Sequence, residues 1–294
     1  MIKIKIGFLG PHGTFSEETL DNWINKSGLG PDSYRKIAFP TIIDVINAVG
    51  NQIDMAIVPI ENSLEGSVNM TIDCLIHETE VMIAGEVVLP IVQHLFAKKS
   101  IPLEEIKEVY SHPQALFQCC KFLMKNLPHA VLKEVASTAE GANIVAKSPS
   151  YGIAAIGNQS LSKLYNLTVV AESIQDSQNN MTRFYLLSTE DKPSTGHDKT
   201  TLVFSTANRP GSLFKCLKVF AQQQLNLTKI ESRPSKRILG EYIFFIEVEG
   251  HRLNEPLKTA LVELNRLTGF CKVLGSYVNR LSSTRAVFNG SFSL

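Results

Sequence analysis

Asp191-Lys192-Pro193-Ser194-Thr195-Gly196-His197-Asp198 divides the chain. The stretch is polar, contains a proline and a glycine, and separates two segments of different character, so it reads as a linker. Behind it, Thr200–Thr206 reads as a strand, 211–223 as a helix, Leu227–Ser232 and Glu241–Glu249 as strands joined by a turn at Leu239-Gly240, 257–267 as a helix and Phe270–Tyr277 as a strand. That βαββαβ order is the ferredoxin-like arrangement. Residues 281–294 read as a loose tail.

Ahead of the linker the pattern is longer and less regular. Strands are expected at 2–9, at Ile53–Val58 with a stop at Pro59, through 81–97, at Val109–Tyr110, at Val131–Val135 and at Gly152–Ile156. Helices are expected at 16–26, from Thr41 (an N-cap, with Asp44 at the third position), and at 113–125, 138–147 and 158–164. Strands alternating with helices of this length argue for α/β layers. The expected division is therefore 1–190, linker 191–198, a second domain over 199–280 and the tail.

Bulk properties agree with two soluble domains. The 294 residues are 44% hydrophobic and 19% charged, with a formal net charge of +1, which gives no reason to expect a nucleic-acid or membrane partner. From Lys199 onward there are 14 Lys+Arg against 6 Asp+Glu, and before it 15 against 22, so the front is about −7 and the back about +8. The five cysteines form no Cys-x-x-Cys pair and no His cluster, which argues against a zinc site or a disulfide framework and for a reduced, cytoplasmic setting. No signal-peptide core follows the amphiphilic start, and no apolar run is long enough to cross a bilayer.

Five polar segments lie where strands hand over to loops or helices, the usual ligand position in α/β sheets. Gly10-Pro11-His12-Gly13-Thr14-Phe15-Ser16-Glu17 combines two glycines with a helix start. Glu61-Asn62-Ser63, with Ser67 beyond it, offers amide and hydroxyl groups after a buried strand. Ser111-His112-Pro113-Gln114 has proline in the first helical turn, capped by Ser111 or His112. Ser137-Thr138-Ala139-Glu140 fits a capping box. Asn180-Met181-Thr182-Arg183-Phe184 brings a hydroxyl and a guanidinium to the start of a strand. Such a set, rich in hydroxyls, amides and helix starts, suits a small molecule with several negative charges. It holds no metal cluster and no phosphate-loop lysine.

Those segments, in this order, resemble prephenate dehydratase: Gly10-Pro11-x-Gly13-Thr14-Phe15-Ser16, Pro59-Ile60-Glu61-Asn62-Ser63-x-x-Gly66-Ser67-Val68, Ser111-His112-Pro113-Gln114-Ala115 and Asn180-x-Thr182-Arg183-Phe184. The second part resembles a regulatory ACT domain, with Asn208-Arg209-Pro210-Gly211-Ser212-Leu213 similar to its Gly-Ala-Leu motif (serine standing for alanine) and Glu231-Ser232-Arg233-Pro234 to its Glu-Ser-Arg-Pro motif. The resemblance implies two α/β lobes similar to periplasmic binding proteins with a cleft between them. It also implies loss of water and carbon dioxide from prephenate to give phenylpyruvate, with no cofactor. No helical chorismate mutase segment is expected before residue 4.

On that likeness Thr182 is expected to donate to the departing hydroxyl and Arg183 to anchor a carboxylate, with Asn62, Ser63, Ser111, Gln114, Ser137 and Thr138 lining the cleft. Glu61 is expected there only if protonated or turned away, because a carboxylate repels a dianion. Phenylalanine is the implied effector, held by Asn208, Gly211, Ser212, Leu213, Glu231, Ser232 and Arg233 in a homodimer or dimer of dimers. A non-catalytic amino-acid sensor and an arogenate-specific enzyme are the competing readings.

Overall fold

The computed structural model describes residues 3–236 and 241–280; the expected turn at Leu239-Gly240, the tail 281–294 and the first residue of the expected 2–9 strand lie outside them. In chain order the first part comprises β1 (Ile4–Leu9), α1 (Phe15–Ser27), β2 (Tyr34–Phe39), α2 (Ile42–Ala48), β3 (Met55–Asn62), β4 (Gly66–Ser67), α3 (Asn69–His77), β5 (Met82–Pro90) and β6 (His94–Ala97). It continues through β7 (Glu108–Ser111), α4 (Pro113–Gln118), α5 (Cys120–Asn126), β8 (Val131–Glu134), α6 (Thr138–Lys147), β9 (Ile153–Gly157), α7 (Ser160–Tyr165), β10 (Thr168–Ala171) and β11 (Met181–Ser188). Two sheets result, ordered β2-β1-β3-β11-β5 with β4 paired to β3, and β10-β6-β9-β7-β8. The second is mixed: β7 runs parallel to β8 and β9, whereas β6 is antiparallel to β9 and β10. Its two faces are covered by separate apolar clusters, one around Leu116, Leu123 and Ile156 and one around Phe96, Ala142 and Leu161.

Three expected elements change form. The strand 53–58 runs on through Pro59 to Asn62, where β4 pairs back on it. Proline removes one ladder donor but its fixed φ lies within the extended region. The long strand expected over 81–97 is two strands in different sheets, broken at 91–93. The helix expected over 113–125 breaks at Cys119, whose ψ of 15° leaves the helical range. Asp176 accepts from the Lys121 backbone N–H at 3.1 Å, supplying the second helix with the cap that a new N-terminus needs.

Packing divides the described residues into two compact units, the first comprising those up to Val45, Ile57–Val68 and Leu89–Phe184, the second Ile46–Ala56, Asn69–Val88 and the described residues from Tyr185 onward. The second contains the βαββαβ elements: β12 (Asp198–Ser205), α8 (Ser212–Gln222), β13 (Leu227–Pro234), β14 (Tyr242–Glu249), α9 (Leu257–Leu267) and β15 (Phe270–Val278). They form one sheet, β13-β14-β12-β15, with the core of Leu202, Phe204, Val219, Phe220, Ile246 and Leu264 beneath the two helices. The polar 191–198 segment ends in a knot: Asp198 accepts from Ser194 (3.0 Å), from the Thr195 hydroxyl and N–H (2.6 and 2.8 Å) and from Gly196 N–H (3.2 Å).

Strand β12 is buried along nearly its whole length, so its polar residues lie inside. Lys199 is fully buried and its Nζ stands 2.8 Å from both Glu86 Oε2 and Glu247 Oε2. Tyr185 donates to Glu247 at 2.7 Å, and Thr201 and Tyr277 share a hydroxyl contact of 2.7 Å. Such a network is favourable only when every member is matched.

All five cysteines are free thiols. Burial pushes the Cys119 thiol up to about 12 and those of Cys74 and Cys271 up to about 11, and raises Cys216 as well. Cys120 is half-exposed at the surface. Because the thiolate is the reactive form, a disulfide reagent added to the native protein is expected to modify Cys120 first, read by peptide mass mapping at short times. Equal labelling of all five would contradict this ranking.

Candidate active site

The first unit holds an open cavity of about 470 Å³. Its wall is built from the ends of strands and the starts of helices: Gly10, Thr14 and Ser16 where β1 leads into α1, Asn62 and Glu65 after β3, Gln93 beyond β5, His112, Gln114 and Gln118 on α4, Ser137 and Thr138 at the start of α6, and Thr182 and Phe184 on β11. Among the described residues that line it there is no lysine or arginine. Positive potential comes from the first turns of α1 and α6, whose N–H groups and dipoles favour an anion.

Each of these helix starts is held in place from behind. Glu17 fastens the loop before α1: its carboxylate accepts from Gly13 N–H (2.7 Å) and pairs with His12 Nδ1 (2.9 Å) and Lys36 Nζ (2.7 Å). Burial pushes the Glu17 carboxyl up, but the bonds from Lys36, Gly13 and His12 outweigh it and hold it below the usual carboxylate range. At α6 the capping box forms as expected: Glu140 N–H donates to Ser137 Oγ (3.0 Å) and Ala136 N–H to the Glu140 carboxylate (2.9 Å). At α4 His112, rather than Ser111, is the cap, its Nδ1 accepting from Gln114 N–H at 3.3 Å. That leaves the hydrogen of the neutral ring on Nε2.

The most ordered group of side chains centres on Asn62, which is buried. Its Oδ1 accepts from the backbone N–H of Leu64 (3.0 Å) and Glu65 (3.2 Å), which fixes the amide orientation. The Nδ2 then donates to Asn180 Oδ1 (2.8 Å) and Thr182 Oγ1 (2.9 Å). Thr182 therefore accepts from Asn62, and its own hydrogen remains for the cavity.

Asn62, Gln114, Ser137, Thr138 and Thr182 are thus brought together on one cavity wall, but four expected partners are not. Arg183 points to the opposite face of β11 from Thr182, is 5% exposed, and pairs with Glu61 at 2.7 Å; neither lines the cavity. Successive strand residues alternate faces, so Thr182 inside places Arg183 behind it. In this arrangement the pair ties β3 to β11. Ser111 is fully buried and donates to Ile156 C=O at 2.7 Å. Ser63 staples the start of β11, donating to Asn179 C=O (3.2 Å) and accepting from Met181 N–H (3.0 Å). Conversely, Glu65, Gln93 and Gln118 were not expected on the wall. Gln118 had a signal, since it lies four residues from Gln114 on one helix face.

In the second unit a smaller cavity of about 300 Å³ is lined by Asn208, Arg209, Gly211, Ser212, Leu213, Phe214, Tyr242 and Phe244, among others. Gly211 caps α8 with φ of 81°, a left-handed conformation that favours glycine. Of the expected effector residues, Asn208, Gly211, Ser212 and Leu213 line this cavity, while Glu231, Ser232 and Arg233 do not. Ser232 is exposed on β13. Arg233 is engaged with α3, reaching Asp73 (2.6 Å) and Asn69 (2.5 Å) as well as Glu231 (3.3 Å).

Comparison with known proteins assigns both parts of the chain to families. The prephenate dehydratase family model matches residues 6–192 and the ACT domain model residues 200–266. A bifunctional chorismate mutase/prephenate dehydratase of Aquifex aeolicus is 41% identical over 280 residues, covering 95% of this chain and 75% of its own length. A prephenate dehydratase of Bacillus subtilis is 38% identical over 285 residues, covering 93% and 98%. Among solved structures, the prephenate dehydratase of Arthrobacter aurescens in complex with L-Phe superposes with a TM-score of 0.84 at 31% identity, covering 97% of this chain and 98% of that one. A dipole-lined cavity ordered around Asn62 and Thr182 thus sits where the family model matches, and the chain belongs to the prephenate dehydratase family, with a C-terminal ACT domain.

Proposed function

We infer that the cavity of the first unit converts prephenate to phenylpyruvate, and that the Asn62–Thr182 hydrogen bond carries the chemistry. The substrate dianion loses carbon dioxide from its ring carboxylate. The freed electron pair moves through the ring and expels the hydroxyl, which leaves as water on taking one proton. Aromatisation drives the step, so the protein has to orient the dianion and stabilise the departing oxygen. The Thr182 hydroxyl, accepting from Asn62, is polarised toward donation, which suits a leaving hydroxide. The helix starts of α1 and α6 hold the carboxylates without a cation. No metal or organic cofactor is needed for any of these steps. The test is phenylpyruvate formation from prephenate by the purified chain, with arogenate assayed in parallel. A folded chain that releases no phenylpyruvate sinks the reading, and turnover of arogenate alone reassigns the substrate.

The cavity of the second unit is read as the phenylalanine site, completed in a homodimer or dimer of dimers by Glu231 and Ser232 of a second copy. Supporting this, Gly211 to Leu213 open a helix toward an anion while Phe214, Tyr242 and Phe244 offer apolar walls. No helix among the described residues is long and apolar enough to cross a membrane, and five cysteines with no Cys-x-x-Cys pair support a cytoplasmic place for the enzyme. Asn208→Leu is expected to raise the phenylalanine concentration for half-inhibition at least tenfold at unchanged basal turnover; an unshifted inhibition curve would place the effector elsewhere.

A further inference from the structure

On the cavity wall Gln93, Gln118 and Glu65 form a chain that none of the expected site residues includes. Gln118 Nε2 donates to Glu65 Oε1 at 3.3 Å, and Gln93 Nε2 donates to Gln118 Oε1 at 3.3 Å. The direction is set by chemistry at one end. An ionised carboxylate can only accept, so Gln118 turns its NH₂ to Glu65 and its carbonyl to Gln93. Gln93 must then turn its NH₂ to Gln118. Its own carbonyl oxygen is left over: Gln93 is 2% exposed, lines the cavity, and its Oε1 has no partner among the described residues. The residue is also tethered through its backbone N–H to Gln175 Oε1 at 3.0 Å, so the carbonyl cannot escape by moving the chain. A buried acceptor without a donor is costly, and natural cores seldom retain one unless a ligand or an ordered water supplies the partner.

We propose that Gln93 is a substrate-positioning acceptor that takes the hydrogen of the substrate's ring hydroxyl. The proposal rests on the reading of this cavity as a prephenate site. With both carboxylates ionised, prephenate has one hydrogen-bond donor, that hydroxyl, so a wall acceptor that lacks a donor can match that atom only. The same carbonyl repels a carboxylate. It therefore orients the molecule with the leaving oxygen toward Gln93 and Thr182, and the carboxylates toward the helix starts. As the C–O bond breaks, the oxygen gains charge and donates less strongly, so the Gln93 contact favours the bound substrate more than the transition state.

The near-isosteric Gln93→Met removes the acceptor. The expected result is a rise of about tenfold in KM for prephenate, the weight of one neutral hydrogen bond, with kcat within about threefold. Inhibition by phenylpyruvate, which lacks the hydroxyl, should not move. A packing defect would shift substrate and product affinity together, and that outcome, or an unchanged KM, overturns the proposal. Should Gln93→Met not fold, Gln118→Met decides: it breaks the chain without changing the charge of the wall and leaves the Gln93 amide free to reverse. A KM rise with unmoved phenylpyruvate inhibition supports the chain, and no rise overturns it. An unaltered chain that makes no phenylpyruvate would instead overturn the activity reading itself, which separates the two failures.

Discussion

Thr182→Val is expected to lower kcat by about a hundredfold to a thousandfold, the usual weight of one donor to a charge that develops in the transition state, while KM for prephenate changes little. Valine keeps the shape and removes the hydroxyl, so the loss isolates the donor. Asn62 stays satisfied on its other contacts, through Leu64, Glu65 and Asn180. Steady-state kinetics checks the split: near-normal kcat would remove Thr182 from the chemistry, and a rise in KM alone would make it a binding group. Asn62→Asp is expected to act in the same direction, because a carboxylate cannot donate to Thr182 and would oppose the dianion.

Lys199→Met is expected to cost about 3–5 kcal/mol of stability, the range for removing one partner of a buried ion pair. The substitution strands Glu86 and Glu247, both buried, without the ammonium that stands 2.8 Å from each. Urea unfolding measures it, as a shift in midpoint at unchanged slope. Adding Glu86→Gln and Glu247→Gln should recover much of the loss, because the stranded charges go with it. A single variant as stable as the parent would mean that the three side chains are matched by other means.

How far the residues foretold this structure depends on the range of the information. The βαββαβ order was legible because each element carries its own apolar pattern and turn. The first region was legible as α/β, but strand ends were not: the stop at Pro59 and the single strand over 81–97 depended on pairing partners distant in sequence. Polar Lys199, Thr200 and Thr201 gave no hint that β12 is covered on both faces. At the site, Asn62 and Thr182 were legible because their motifs are local. Arg183 lies off the cavity wall, and strand alternation alone sets it behind Thr182. The Gln93–Gln118 contact spans 25 residues and crosses from a strand end to a helix, so no local pattern announces it.

A cavity whose positive potential comes from peptide groups cannot lose it through a change of side chain. Mutational tolerance should therefore be uneven in an unfamiliar way. Several positions that touch substrate should accept replacement, while positions that merely keep the backbone in place should not. Gly141 is such a position: a methyl group there would lie 2.8 Å from the Tyr110 carbonyl oxygen, forcing α6 off the sheet. A saturation scan scored for growth without phenylalanine would then draw the outline of the site behind its walls, in the residues that support the helix starts.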